Sequence, residues 1–283
     1  MKEEDIWSDT TGEKYLYRYR PANLFTLHEV MFQRLYFQTR DKLNDPAEMR
    51  INFQNLEKMD LGRKITLYMR ALEKGGLNEA TLRNELIEKW VKDWREAQAS
   101  FISRFDAILN ESEAKYRSLT ESILKNGICC FSKKPLNPTM LAHYSNNDGV
   151  VLAFDRKKML KSLKIENTGF FNVQYETDQT PIDLKSLIFH DLEPESSNKP
   201  KIDFLAMKYK DWEYESEVRL VSTDKGASSE ILDNGVLAGL CFAPKSSETT
   251  REIFSKICSD NSIPVFECES INSYHYRAKL IVT

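Results

Sequence analysis

The chain is short of every ready-made nucleotide or metal signature. It contains no Gly-x-Gly-x-x-Gly and no phosphate-binding loop, which removes the support for a Rossmann or P-loop site. A nucleophile elbow with a Ser-His-Asp order is also missing. Cysteine is scarce: Cys129, Cys130, Cys241, Cys258 and Cys268 are odd in number and scattered, which argues against a disulfide framework. Without a Cys-x-x-Cys or a regular Cys/His spacing, a structural zinc site is not expected either. Cys129 and Cys130 are instead expected to pack in a buried strand. No apolar run approaches the length of a membrane span, and Met1-Lys2-Glu3-Glu4-Asp5 is acidic and unlike a signal peptide, so a cytoplasmic protein with no membrane partner is expected. Charge of one sign is lacking too: 40 basic residues oppose 43 acidic ones, and bulk electrostatics do not call for nucleic acid.

What is present is an ordinary globular composition, 41% hydrophobic and 29% charged over 283 residues, enough for one large domain or two small ones. From about Asn52 to Lys125 proline disappears and only three glycines occur. Leu82, Leu86, Trp90, Val91 and Trp94 recur there at helical spacing, so the segment is read as two or three helices broken near Gly75-Gly76. This gives a domain division of 1–51 as the first part of a core, 52–126 as an all-helical insertion, and 127–283 as the remainder of the core.

Around the insertion the period is that of strands. Tyr15–Tyr19, Leu35–Phe37, Ile128–Phe131, Gly149–Phe154, Phe170–Tyr175, Glu217–Val221, Val236–Phe242, Pro264–Cys268 and Lys279–Val282 read as strands. Asn23 onward, Lys157–Leu163, a segment near Asp183–Phe189 and Thr249–Cys258 read as helices, and Glu193–Lys201 as a loop. Leu43-Asn44-Asp45-Pro46 and Asn146-Asn147-Asp148-Gly149 are turn sequences. Helices early and strands late predict an α+β fold.

Three separated segments carry candidate chemistry. Arg18, between Tyr17 and Tyr19, offers a guanidinium to a phosphate or ribose edge, with the tyrosines flanking a ring. Ser132 ends the apolar strand Ile128–Phe131 and offers a hydroxyl to a carboxylate or ribose; a lone serine there also suits a turn cap. Trp212-Glu213-Tyr214-Glu215-Ser216-Glu217-Val218-Arg219 reads as a strand in which Glu215, Glu217 and Arg219 share a face. Two carboxylates side by side can hold a ribose hydroxyl and stabilise an oxocarbenium-like centre. The plainer alternative is the solvent face of an edge strand with Arg219 balancing the acids. His143 is available for substrate or for structure.

Tyr17-Arg18-Tyr19, Leu35-Tyr36-Phe37, Asn44-Asp45-Pro46-Ala47-Glu48, Cys130-Phe131-Ser132, His143-Tyr144 before Gly149, and Trp212 to Arg219 together resemble the bacterial domain-of-unknown-function family 2971, often found near phage-defence genes. Ala47 and Leu141 stand where that family usually carries aromatics. More distantly, the order resembles the arginine–serine–glutamate type of the ADP-ribosyltransferase superfamily, although Lys133-Lys134 follow Ser132 in place of Thr-Ser. That resemblance implies an ADP-ribosyltransferase-like mixed or antiparallel β core that binds NAD as its substrate in a cleft between two small sheets. Arg18, Tyr17, Tyr19, Ser132, His143 and Tyr144 would hold NAD, Glu217 would be the catalytic acid, and Glu215 would orient the acceptor. Asn44, Asp45, Glu48, Trp212 and Arg219 complete the family motif, and no metal is expected. The implied partner is a macromolecular acceptor, protein or nucleic acid, or another defence-system protein. Two rivals remain at this point. One is a non-enzymatic sensor or nucleic-acid binder using Arg18, Arg20, Lys133, Lys134 and the insertion. The other is a magnesium-dependent nuclease using Asp45, Glu48, Glu215 and Glu217.

Overall fold

A computed structural model of the protein describes residues 6–45, 124–163, 168–177, 206–223, 226–272 and 275–282, with scattered positions between 84 and 121. The chain divides into two compact units. Met1–Glu48, Leu124–Gln179 and Leu205–Thr283 form the first, and Met49–Ile123 with Thr180–Phe204 the second. The expected helical insertion falls almost wholly outside the described residues, as do Glu48, the helix near Asp183–Phe189 and the loop Glu193–Lys201; the described positions Asn84, Glu96 and Ala107 are helical.

The first unit is mixed α and β, built on a large, mostly antiparallel sheet. Its eight strands run in the order β12-β11-β10-β4-β1-β3-β8-β5. These are β1 (Tyr15–Arg20), β3 (Gly127–Ser132), β4 (Val150–Asp155), β5 (Thr168–Asn172), β8 (Glu217–Ser222), β10 (Leu237–Phe242), β11 (Val265–Asn272) and β12 (His275–Val282). Only β10 and β11 pair in parallel within it. Two short ladders lie beside the sheet: β2 (Arg34–Phe37) with β9 (Ser228–Ile231), and β6 (Gln174–Glu176) with β7 (Met207–Tyr209). Where the distant resemblance implied two small sheets flanking a cleft, the unit has one eight-stranded sheet and two two-stranded ladders. The expected strand Phe170–Tyr175 is two strands, β5 paired with β8 and β6 paired with β7; between them the Val173 N–H still donates to the Glu217 carbonyl at 3.1 Å.

The period-two pattern explains the layers. In β4, Val150, Leu152 and Phe154 point to one face and Val151 and Ala153 to the other, and all are buried, as a strand paired on both sides in mid-sheet requires. The first face packs under α1 (Leu24–Met31), α3 (Arg156–Leu163) and α4 (Glu248–Asp260) through Val30, Met159, Leu163, Phe254 and Ile257. The opposite face takes Tyr15, Tyr17 and Tyr19 of β1 against Ile6, Trp7 and the Met140 and Leu141 side chains of α2 (Pro138–Ser145). Full burial of each such side chain is worth about 1.5–3 kcal/mol. Gly149 is required at the entry to β4, since a Cβ there would lie 2.0 Å from the Arg20 carbonyl oxygen.

Candidate functional site

The sheet is nearly split between β1 and β3. Six residue pairs register between β1 and β4 and six between β3 and β8, but β1 and β3 share only Tyr17 opposite Ser132. Gln38 closes the far end of the gap by exchanging both backbone hydrogen bonds with Ile128 at 2.8 Å. A cavity of about 190 Å³ opens here, lined by Tyr17, Arg18, Tyr19 and Arg20 on one lip and by Ile128, Cys130, Phe131 and Ser132 on the other. Tyr36, Lys42, Asn44, Tyr144, Lys208, Glu215 and Glu217 also line it.

Each lip carries its own electrostatics. Arg18 points to the α1 face, where its Nη1 meets Glu29 Oε1 at 2.5 Å, and Arg20 Nε reaches the other oxygen of Glu29 at 2.9 Å. Arg18 also lies over the Phe131 ring, 5.6 Å from its centroid. Two arginines converging on one buried carboxylate fix their direction, and they form a paired group in place of an open basic surface. Tyr17 and Tyr19 face away from Arg18, as alternation demands, and their hydroxyls hold backbone: Tyr17 donates to Ile6 O at 2.6 Å and Tyr19 to Lys134 O at 2.7 Å.

On the other lip the expected strand from Trp212 to Glu215 is a 3-10 helix, Lys210–Glu215. Ser216 then takes a left-handed conformation, φ 46° and ψ 51°, before β8 begins at Glu217. The edge-strand reading also fails, since β8 lies between β3 and β5 with every residue buried. Ser132 explains the turn: its hydroxyl donates to the Glu215 carbonyl at 2.6 Å and accepts from the Lys134 N–H at 3.0 Å. The serine thus braces the backbone that presents both glutamates and also makes the turn cap.

The acids come together through a residue that the sequence reading missed. Lys208 of β7 places Nζ 2.6 Å from Glu215 Oε2 and 3.2 Å from Glu217 Oε2. Arg219 grips Glu217 from the side, Nε to Oε1 at 2.9 Å and Nη2 to Oε2 at 3.2 Å. Tyr144 donates to Glu215 Oε1, and Asn44 Nδ2 donates to the Tyr144 hydroxyl at 2.5 Å. Glu215, Glu217 and, beside Arg219, Asp45 thus bring three carboxyl groups to the two cations Lys208 and Arg219 in a buried cluster. Burial raises the Glu217 carboxyl above its ordinary range, and Lys208 opposes that rise. Burial alone would lower the Lys208 ammonium, but Glu217 and Glu215 outweigh it and raise it. The Cys130 thiol, half-buried at the cavity wall, is pushed up by burial and then by Glu217 beside it. The buried pair of acids was itself a signal, because two interior carboxylates need a cation and Lys208 is one of the nearest in sequence.

His143 and Trp212 do not line the cavity; they build its outer support. The His143 ring stacks on Tyr144 at 4.6 Å and on Trp212 at 5.5 Å, and its Nδ1 hydrogen-bonds the Tyr214 hydroxyl at 2.8 Å. Burial lowers the Arg219 guanidinium to about 9, and the charge of the buried Asp45 opposes that fall in part. Lys208 already occupies the space between Glu215 and Glu217 where a shared cation would sit, and among the described residues no group of three His, Cys, Asp or Glu side chains forms a metal cluster. No described helix is long and apolar enough to cross a membrane.

Residues 140–220 match a family described as "Protein of unknown function (DUF2971)". That span runs from α2 into β8 and carries His143, Tyr144, Lys208, Trp212, Glu215, Glu217 and Arg219, and it supports the resemblance to that family. No curated protein and no solved structure matches the chain.

Proposed function

We propose that the protein is an ADP-ribosyltransferase-like enzyme that cleaves the nicotinamide–ribose bond of NAD and passes ADP-ribose to a macromolecule, protein or nucleic acid, or to water. A role in bacterial phage defence, with another defence-system protein as the alternative partner, belongs to the same proposal. One observation carries it: Arg18, Ser132 and Glu217 sit on the neighbouring strands β1, β3 and β8 around one cavity. At about 190 Å³ the cavity is smaller than the roughly 300–1,000 Å³ of sites that enclose a whole drug-sized ligand. It therefore receives the nicotinamide riboside end, and the diphosphate lies at the mouth near Arg20 and Lys42. Glu217 accepts a ribose hydroxyl and faces the positive charge that grows at the anomeric carbon as the glycosidic bond breaks. The bonding electrons leave with nicotinamide, which becomes neutral. The incoming nucleophile bonds to that carbon and gives its proton to Glu215 or solvent.

The test is incubation with labelled NAD and candidate acceptors, beside a Glu217→Gln variant. Turnover is expected to fall by at least about 10²-fold in the variant, the usual cost of losing one group that stabilises developing charge. Equal labelling by both proteins, or none with any acceptor, would reject the reading.

A further inference from the structure

We propose that Lys208 is a positioning residue of this site, whose ammonium joins Glu215 to Glu217 and holds Glu217 in the carboxylate form that the reaction uses. The geometry is that of a built bridge. Nζ lies 2.6 Å from one acid and 3.2 Å from the other, the side chain is 2% exposed, and the ammonium sits 4.8 Å from the Trp212 ring centroid. A lysine offers three donors from one point, so it can serve two acids at once, whereas the planar fork of Arg219 meets Glu217 with two of its nitrogens.

Other elements also face these acids. Cys130 of β3 lies against Glu217, and Tyr144 of α2 donates to Glu215. The Tyr175 hydroxyl of β6 accepts from the Glu217 N–H at 2.7 Å. Arg219 of β8 binds Glu217, with Asp45 facing Arg219 in turn. The three neutral groups can donate or accept but bring no positive charge. Without Lys208, the Glu215, Glu217 and Asp45 carboxyl groups would share the Arg219 guanidinium as their one cation among the described groups that face them, and like charges so placed are relieved by taking up a proton. A protonated Glu217 can neither accept strongly from a ribose hydroxyl nor oppose a developing cation. The 3-10 helix and the Ser132 brace place the two acids in the backbone, and Lys208 then sets their spacing and charge.

This deepens the function proposed above and rests on it only for the activity measurement. The experiment compares wild type, Lys208→Met and Lys208→Arg by two readouts. In NAD turnover, Lys208→Met should lower kcat at neutral pH by up to about tenfold, leave KM nearly unchanged, and move the acid limb of the pH profile up by about one unit; Lys208→Arg should restore part of the loss. In carboxyl NMR of protein labelled at glutamate, Lys208→Met should show a buried carboxyl taking its proton at a higher pH than in wild type, whether or not NAD is turned over. A Lys208→Met titration that overlays the wild type overturns the inference. A shifted titration without turnover in any of the proteins sustains the inference and rejects the enzyme reading. Should Lys208→Met fold poorly, the double variant Lys208→Met/Glu215→Gln removes an acid with the cation. Recovery of folding there supports a charge role, and equal misfolding of the two variants overturns it.

Discussion

Asp9 shows how much one side chain can organise. Its carboxylate accepts from the N–H groups of Thr11, Gly12, Lys14 and Tyr15 and from the Thr11 hydroxyl, at 2.6 to 3.2 Å. It thereby shapes the turn that leads into β1, where Gly12 takes a positive φ of 71°. Partial burial pushes its pKa up, but the Thr11 hydroxyl and the Tyr15, Thr11 and Lys14 amides outweigh it and hold it at about 2, below the ordinary 3.8. The folded value lies below the unfolded one, so the stabilisation is fully present above about pH 4 and is lost as the pH falls through about 2. Asp9→Ala should therefore cost about 1 kcal/mol at neutral pH, at the low end because the group is largely solvated, and the difference should vanish near pH 2. Chemical denaturation of both proteins across that range checks it; a gap independent of pH would count against the carboxylate.

At the scale of elements, α2 links the two sides of the site. Asn137 caps it through Thr139 and Met140 N–H groups, Pro138 fills the first turn, and Asn146 at φ 53° ends it. Asn137 also donates Nδ2 to the Tyr214 carbonyl at 3.1 Å and its backbone N–H to the Tyr19 hydroxyl at 2.8 Å. Asn137→Ala should cost about 1–2 kcal/mol, at the upper end of a lost cap because the Tyr214 contact goes too. A urea midpoint unchanged from wild type would reject this accounting. The sequence reading missed α2, because eight residues give little periodicity. Six strands of the large sheet were legible: β1, β3, β4, β8, β10 and β11 each begin within one residue of their expected start, because their apolar runs are bounded by turn residues, whereas β12 begins four residues before Lys279 and β9 was not read. The 3-10 helix was not, since Trp212-Glu213-Tyr214-Glu215 alternates like a strand and only the Ser132 brace and the left-handed Ser216 decide otherwise. Glu215 and Glu217 were legible as a pair. Their partner Lys208 sits in a strand of three residues, too short for any pattern, and only the cost of burying two acids points to it.

The sheet's near-split governs the first unit as a whole. The half made of β1, β4, β10, β11 and β12 and the half made of β3, β8 and β5 are joined within the sheet by the single pair Tyr17–Ser132. Each half carries one lip of the cavity, so a ligand that touches both lips adds contacts where the sheet has fewest. Native-state hydrogen exchange should register this architecture. Val151 and Leu152, at the centre of β4 with partners on β1 and β10, should exchange slowest, and the edge strand β12 fastest among the sheet strands. Added NAD should slow exchange in residues 17–20 and 128–132 together, because binding that bridges the gap must oppose its opening from both sides. At a ligand concentration about 100 times Kd the extra protection is bounded at about 2.7 kcal/mol. Protection confined to residues 17–20 would mean that the ligand rests on the arginine lip alone and never reaches the glutamates, and NAD would then be bound in a pose that cannot react.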